Sequence, residues 1–167
     1  GFEVSKSYTS EVYDGSMTFQ ITGSEGAPMP ASTTVFLTKD RIVDKKTAAF
    51  GDLTFNTAGT YIYTIEEVKT PAISGMDYDD AVYTITVSVT RDTTAGELKA
   101  TITNRTVTRK NETKVLLENE GLTFTNTYTE PKGSLSIKKT VNIVDNSTET
   151  PNLDNDAYPI VVTLTNG

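Results

Sequence analysis

One predicted β-strand ends its apolar face on a carboxylic acid. Alternate residues of a strand point to the same side, so in GTYIYTIEEV, residues 59–68, Glu67 shares its face with Tyr61, Tyr63 and Ile65. Burial in such surroundings disfavours the charged form of a carboxyl group and raises its pKa. A neutral acid held in this way can donate and accept protons during a reaction.

Two other predicted strands place a lysine and an asparagine on their apolar faces. Lys6 lies on the same side of the first strand as Phe2 and Val4, and Asn126 lies on the same side as Phe124 in the last strand, LTFTNTY. Burial lowers the pKa of a lysine, and the resulting neutral amine is a nucleophile. The three strands therefore supply an amine, an acid and a carboxamide.

These three groups fit one reaction. The Lys6 amine attacks the side-chain carbonyl carbon of Asn126, while protonated Glu67 hydrogen-bonds the amide oxygen and passes protons to the departing nitrogen. Ammonia leaves, and an amide bond joins the two side chains. Proximity within a folded core is worth roughly 7–11 kcal/mol of the barrier, so the reaction would proceed once, without an external catalyst.

Each residue also has an ordinary interpretation. Lys6 near a strand end can extend its ammonium to water, Glu67 can be the first residue outside the core, and Asn126 can satisfy a turn. Asn104, in TITNRT, is a second candidate amide because it follows the parity of Ile102. It ranks below Asn126 because it lacks flanking aromatic residues.

The composition excludes several function classes. The 167 residues include no histidine, cysteine or tryptophan, which removes the Ser-His-Asp arrangement, thiolate chemistry and disulfides. A net charge of −7 opposes binding to nucleic acid or to an anionic membrane. Glycine-rich phosphate loops are absent, and we predict neither a cofactor nor a metal. The acids of NLDNDAY and DYDD are typical of loops.

The fold prediction follows from residues that alternate with period two and are separated by clusters of turn residues. This pattern favours an all-β, antiparallel Greek-key β-sandwich (Ig-like) over about residues 1–130. The predicted strands are Phe2–Tyr8, Ser16–Thr22, Thr33–Leu37, Asp52–Phe55, Thr60–Val68, Ala81–Thr90, Leu98–Val107 and Leu122–Tyr128.

A second unit is predicted for residues 131–167. Pro131 and Gly133 interrupt the strand pattern after the last strand of the first unit. The segment GSLSIKKTV then repeats the pattern of the opening strand, and Lys139 takes the place of Lys6. A second predicted strand follows in AYPIVVTLTNG, but two strands bury too little surface to close a sandwich. We therefore expect residues 131–167 to be a linker and the N-terminal part of an incomplete second β-sandwich domain.

At these motifs the sequence resembles a known family. FGDLTFNTAGTYIYTIEEV, MDYDDAVYTITVSVTRD and LTFTNTY resemble the isopeptide-linker domain of Gram-positive pilins, found in major shaft pilins and surface adhesins. The resemblance implies a sandwich whose first and last strands are joined by a Lys6–Asn126 bond, with Glu67 assisting. It also implies that Lys139 is the bonding lysine of the following domain. Lys132, in TEPKG, only faintly matches a polymerisation lysine.

The function predicted from these observations is mechanical and non-enzymatic. We expect a structural module of a bacterial pilus or adhesin stalk, extracellular and attached to the cell wall in the full-length protein, with neighbouring pilin or stalk subunits as partners. The alternative is an adhesive domain that binds a host ligand through loops such as TGSEGAPMPAS or KTPAISGMDYDD. The sequence shows no catalytic cluster for an external substrate.

Overall fold

The computed structural model describes residues 1–9, 13–39 and 46–138. The chain separates into two units, Gly1–Lys132 and Gly133–Gly167, and only residues 133–138 of the second are described. Lys139 lies outside the described residues, so its predicted role and the predicted second sandwich domain remain predictions.

The first unit consists of β-strands arranged in two sheets, which confirms the predicted all-β sandwich. One sheet has the order β4-β1-β10-β6, and the other has the order β3-β2-β5-β7-β8-β9. The strands are β1 (Glu3–Tyr8), β2 (Gly15–Gly23), β3 (Thr34–Lys39), β4 (Thr47–Ala49), β5 (Gly59–Glu67), β6 (Met76–Asp77), β7 (Val82–Arg91), β8 (Leu98–Arg109), β9 (Glu112–Val115) and β10 (Leu122–Tyr128).

Alternation in the sequence directs the core residues to the space between the sheets. Burial along β2, β5, β7 and β10 switches with period two, as expected for strands that pack on one face and meet solvent on the other. The fully buried side chains include Val4, Phe19, Tyr63, Ile65 and Phe124. The rings of Phe19 and Phe124, one from each sheet, lie 4.8 Å apart and join the sheets at the centre.

β1 and β10 pair in parallel, whereas the other strand pairs among the described residues are antiparallel. β1 runs beside β10 from Val4 opposite Leu122 to Tyr8 opposite Asn126. On the outer face three hydroxyl pairs connect the two strands, at distances of 2.6–2.8 Å. The pairs are Ser5–Thr123, Ser7–Thr125 and Thr9–Thr127. Because the pairing is parallel, the chain enters β1 at one end of the sandwich and leaves β10 at the other.

One predicted strand is wrong. Residues 52–55 form no strand, although Leu53 and Phe55 both pack against the core and the Phe55 ring lies 5.2 Å from that of Tyr61. Their alternation arises from two side chains that anchor a loop. A loop can bury alternate residues without a neighbouring strand to accept its backbone hydrogen bonds. The period-two pattern alone therefore could not distinguish a strand from an anchored loop.

Three short strands were missed, namely β4, β6 and β9. β9 follows β8 through a two-residue hairpin turn at Lys110 and Asn111, whose φ angles are 48° and 66°. Both central residues of such a turn need a left-handed conformation, which Asn tolerates and which is uncommon for Lys. The turn was therefore hard to recognise, and the exposed side chains of β9 carry no apolar alternation.

Candidate functional site

Lys6, Glu67 and Asn126 meet between the two sheets, as their strand positions predicted. The Lys6 Nζ lies 2.5 Å from Oε1 of Glu67, and Nδ2 of Asn126 donates a hydrogen bond of 3.0 Å to the same oxygen. Side-chain exposure is 4% for Lys6 and 0% for Glu67, and Asn126 is 0% exposed. We refer to these residues as the Lys6–Glu67–Asn126 cluster.

Three strands position the cluster. Lys6 is on β1 and Asn126 is on the neighbouring β10, where Asn126 stands opposite Tyr8. The lysine therefore reaches diagonally across the pair, which its length allows. Glu67 is the last residue of β5 in the facing sheet, where it pairs with Phe19. The cluster thus depends on the register of one sheet and on how the two sheets face each other.

Apolar groups surround the cluster. The Lys6 Nζ lies 5.4 Å from the ring centroids of both Tyr8 and Phe19. On the other side, Sδ of Met76 in β6 lies 3.6 Å from Nδ2 of Asn126. The ordinary interpretation of Lys6, an ammonium extended to water, is therefore inconsistent with the structure, because its side chain is almost fully buried.

Burial decides the ionisation of the amine and the acid. Loss of solvent lowers the pKa of Lys6, although the attraction of the nearby Glu67 acts in the opposite direction and raises it. The same loss of solvent raises the pKa of Glu67, although the attraction of Lys6 and the hydrogen bond from Asn126 both lower it. Among the described residues, Oε2 of Glu67 has no hydrogen-bonding partner, which would be costly for a buried carboxylate anion. These effects favour a neutral amine beside a neutral acid.

The geometry differs from the sequence prediction at the amide oxygen. We expected Glu67 to hydrogen-bond the oxygen of Asn126, but it contacts the amide nitrogen. The oxygen Oδ1 instead accepts a hydrogen bond of 2.9 Å from the backbone N–H of Asp79. One carboxyl oxygen therefore contacts both the Lys6 nitrogen and the Asn126 amide nitrogen, and a separate donor contacts the amide oxygen.

Asp79 and Arg109 are the residues of the site that sequence reasoning missed. Asp79 was considered only among the loop acids of DYDD, whereas its buried carboxylate forms a two-pronged ion pair with Arg109, at 2.9 Å and 3.0 Å. The two residues are 30 positions apart in the chain. Neither lies on a conspicuous apolar stripe, so no local pattern could have paired them.

The other candidates lie outside this cluster. Asn104 is exposed on β8, which removes it as the competing amide, and Lys132 is exposed after β10. Within the described part of the chain, no group of three or more acids could hold a metal ion. The acids of NLDNDAY lie outside the described residues. None of the segments described is a helix long and apolar enough to cross a membrane.

The ionisation of Asp79 should make stability depend on pH. Burial raises its pKa, but hydrogen bonds from Arg109 and from the N–H groups of Thr125 and Ala81 outweigh burial, so the pKa lies below the ordinary 3.8. Below 3.8 the unfolded chain binds a proton that the folded chain resists, so stability is lost as the pH falls through the folded pKa.

Urea unfolding on both sides of pH 3.8 tests this prediction. The measurements use a Lys6→Met background, so that no covalent link between the strands contributes. Asp79→Asn should remove part of the acid-induced loss of stability. Equal acid sensitivity with Asp and with Asn at position 79 would contradict the assignment.

Comparison with known families gives a match over most of the chain. The model of the FctA family, described as a Spy0128-like isopeptide containing domain, matches residues 2–129. No curated protein sequence matches the chain. The family match covers the ten strands described above and all three residues of the Lys6–Glu67–Asn126 cluster.

Solved structures with a similar fold are major pilins of Streptococcus pyogenes. A mutant of the major pilin has a TM-score of 0.52 and 19% identity, and the match covers 76% of this chain and 49% of the pilin. For the T-13 and T3.2 pilins the TM-scores are 0.51 and 0.52, the identities are 21% and 15%, and the coverage is 76% of this chain and 51% of each pilin.

At these identities the similarity is evidence for the fold, and the chain spans about half the length of each pilin. The family model carries the assignment, because it matches well over half of the sequence and includes the motifs that bear the cluster. The resemblance recognised in the sequence is thereby confirmed: the chain belongs to the family of Spy0128-like isopeptide containing domains.

Proposed function

We propose that this chain is a structural module of a bacterial surface pilus or stalk, locked by an amide bond between Lys6 and Asn126. One observation carries the proposal: a single buried oxygen of Glu67 touches the nitrogen that would attack and the nitrogen that would leave. Family membership supports the pilus context. The partners would be neighbouring subunits or domains, and the location would be the cell surface.

The reaction balances within the cluster. The neutral Lys6 Nζ adds to Cγ of Asn126, and the carbonyl oxygen becomes an oxyanion that the Asp79 N–H stabilises. Protonated Glu67 delivers its proton to Nδ2, the Cγ–Nδ2 bond breaks and ammonia leaves, and the resulting carboxylate takes one proton from the positively charged Nζ. Glu67 returns to its starting state. The product is one new amide bond, formed once in each molecule.

The position of the bond explains the mechanical function. Because β1 and β10 are parallel neighbours, tension applied at the two ends of the sandwich would shear them past each other. A Lys6–Asn126 bond lets the load pass directly from β1 to β10. Residues 7–125 would then carry no tension. The hydrogen bonds between neighbouring strands in this segment would be protected from stepwise rupture.

Intact-protein mass spectrometry tests the bond. The purified chain should have the mass of its sequence minus one ammonia, and fragmentation after proteolysis should yield a branched peptide that contains Lys6 and Asn126. A chain with the full sequence mass after complete folding would refute the proposal. A branched peptide with Asn104 in place of Asn126 would refute the assignment of the amide.

The alternative function, adhesion to a host ligand through loops, has no specific support in the structure. One of the two loops considered, Lys69–Asp80, supplies Met76 and Asp79 to the site, so it already has a role in building the sandwich. Ligand binding through these loops remains a prediction from the sequence.

A further inference from the structure

A polar clamp, formed by Asp79 and Arg109, lies beside the cluster. In addition to its ion pair with Asp79, the Arg109 guanidinium donates to the Tyr83 hydroxyl at 3.2 Å and to the backbone carbonyl of Thr123 at 3.1 Å. The Asp79 carboxylate accepts from the backbone N–H of Thr125 at 2.8 Å and from that of Ala81 at 2.9 Å. The Asp79–Arg109 clamp thus joins the Lys69–Asp80 loop, β8 and β10.

The clamp occupies the edge of β10 that faces away from β1. On that side β6 pairs only with Thr127 and Tyr128. The carbonyl of Thr123 and the N–H of Thr125 point to the same side of the strand, and the clamp contacts both with side chains, although the Tyr83 hydroxyl also donates to the Thr123 carbonyl. The residue that follows Thr125 is Asn126, so the clamp fixes the backbone next to the reacting amide.

The clamp also fixes the donor that contacts the amide. The backbone N–H of Asp79 points to Oδ1 of Asn126, while the side chain of the same residue is held by Arg109, Thr125 and Ala81. Rotation of the Asp79 backbone would break these contacts together. The orientation of this N–H is therefore coupled to the ion pair.

We propose that Arg109 is a positioning residue for the Lys6–Asn126 reaction, acting through Asp79, whose backbone N–H stabilises the oxyanion on Asn126. The inference rests on the function proposed above. Removal of a preorganised donor of this kind typically slows the reaction by about 10²–10³-fold. Loss of Arg109 leaves the donor present but less well oriented, so we expect a smaller effect, roughly 10- to 100-fold.

The experiment measures the rate of ammonia loss in the folded full chain. Protein is produced in a short cell-free translation pulse, and intact mass is followed over time, with only the folded, protease-resistant fraction counted. The variants are Arg109→Gln, Asp79→Asn and the double variant. Arg109 is 40% exposed, which favours folding of its variant, and Asp79→Asn preserves both the shape of the side chain and the backbone N–H.

Arg105→Gln is the matched control. Arg105 is on the same strand and also donates to backbone carbonyls, those of Leu117, Glu118 and Glu120, but it does not contact the cluster. Its variant should lose a comparable set of hydrogen bonds and still react at the rate of the unaltered chain. A general loss of stability would slow all of the variants, whereas a positioning role slows only those of the clamp.

The outcomes separate the two proposals. If the clamp positions the donor, both single variants react more slowly than Arg105→Gln, and the double variant is no slower than the slower single variant, because one unit is lost only once. Folded Arg109→Gln that reacts as fast as the unaltered chain would overturn the role of the clamp alone. An unaltered chain that never loses ammonia would overturn the function proposed above and the clamp inference with it.

Discussion

A Glu67→Gln variant should fold and yet retain the full mass of its sequence. Glutamine preserves the shape of the side chain and its contact with Nδ2 of Asn126, but it cannot deliver a proton to the departing nitrogen and recover one from the Lys6 nitrogen. General acid–base catalysis is typically worth about 10²–10⁴-fold in rate. The variant should therefore remain uncrosslinked for many times longer than the unaltered chain needs to react completely.

The neighbouring glutamate provides the control. Glu66 points to the opposite face of β5 and hydrogen-bonds Gln20 at 2.7 Å, so Glu66→Gln makes the same chemical change next to the site without entering it. Intact mass measured on both variants after equal times decides the question. Complete loss of ammonia in Glu67→Gln at the normal rate would show that the carboxyl group is dispensable and that the mechanism is wrong.

The Lys6→Met variant should lose a large part of the resistance to unfolding. The bond between Lys6 and Asn126 would close a loop that spans most of the sandwich, and by analogy with disulfides such closure contributes about 4–5 kcal/mol for loops of roughly 100 residues or more. Methionine fills the apolar space but supplies no amine. The free energy of unfolding, measured with urea, should fall by about that amount relative to the crosslinked chain.

Force measurements on the same variant test the load path. When the chain is pulled by its ends, Lys6→Met should extend further than the unaltered chain by about 400 Å, because residues 7–125 become free to stretch at roughly 3.3–3.6 Å each. Lys99→Met, which replaces an exposed lysine on β8, should behave as the unaltered chain. Equal extension of the unaltered chain and Lys6→Met would exclude a load-bearing bond at this position.

The candidate site was largely predictable because strand parity is a local property. Lys6, Glu67 and Asn126 each continue an apolar stripe in their own strands, and the choice of Asn126 over Asn104 followed from the flanking aromatic residues. The structure places all three in one buried cluster and leaves Asn104 exposed. The inward direction of these three side chains could therefore be predicted strand by strand, and the reaction between them was inferred jointly with the family resemblance.

The Asp79–Arg109 clamp and the backbone donor to the amide oxygen of Asn126 were not predictable in this way. Backbone N–H groups carry no sequence signal, since every residue except proline has one. Asp79 is in a loop and Arg109 is at the end of β8, so neither position has the regular spacing that reveals which way a side chain points. Their pairing depends on where the loop crosses β10, which is a property of the assembled sandwich.

The sequence by itself determined the fold class, the inward faces of the strands and the chemical types that meet, because period-two alternation fixes the direction of each side chain within its own strand. The tertiary structure decided the parallel pairing of β1 with β10, the contact of Glu67 with the amide nitrogen and the donor at the amide oxygen. These features depend on how separate strands and loops lie against each other. Alternation along one strand contains no information about its neighbours.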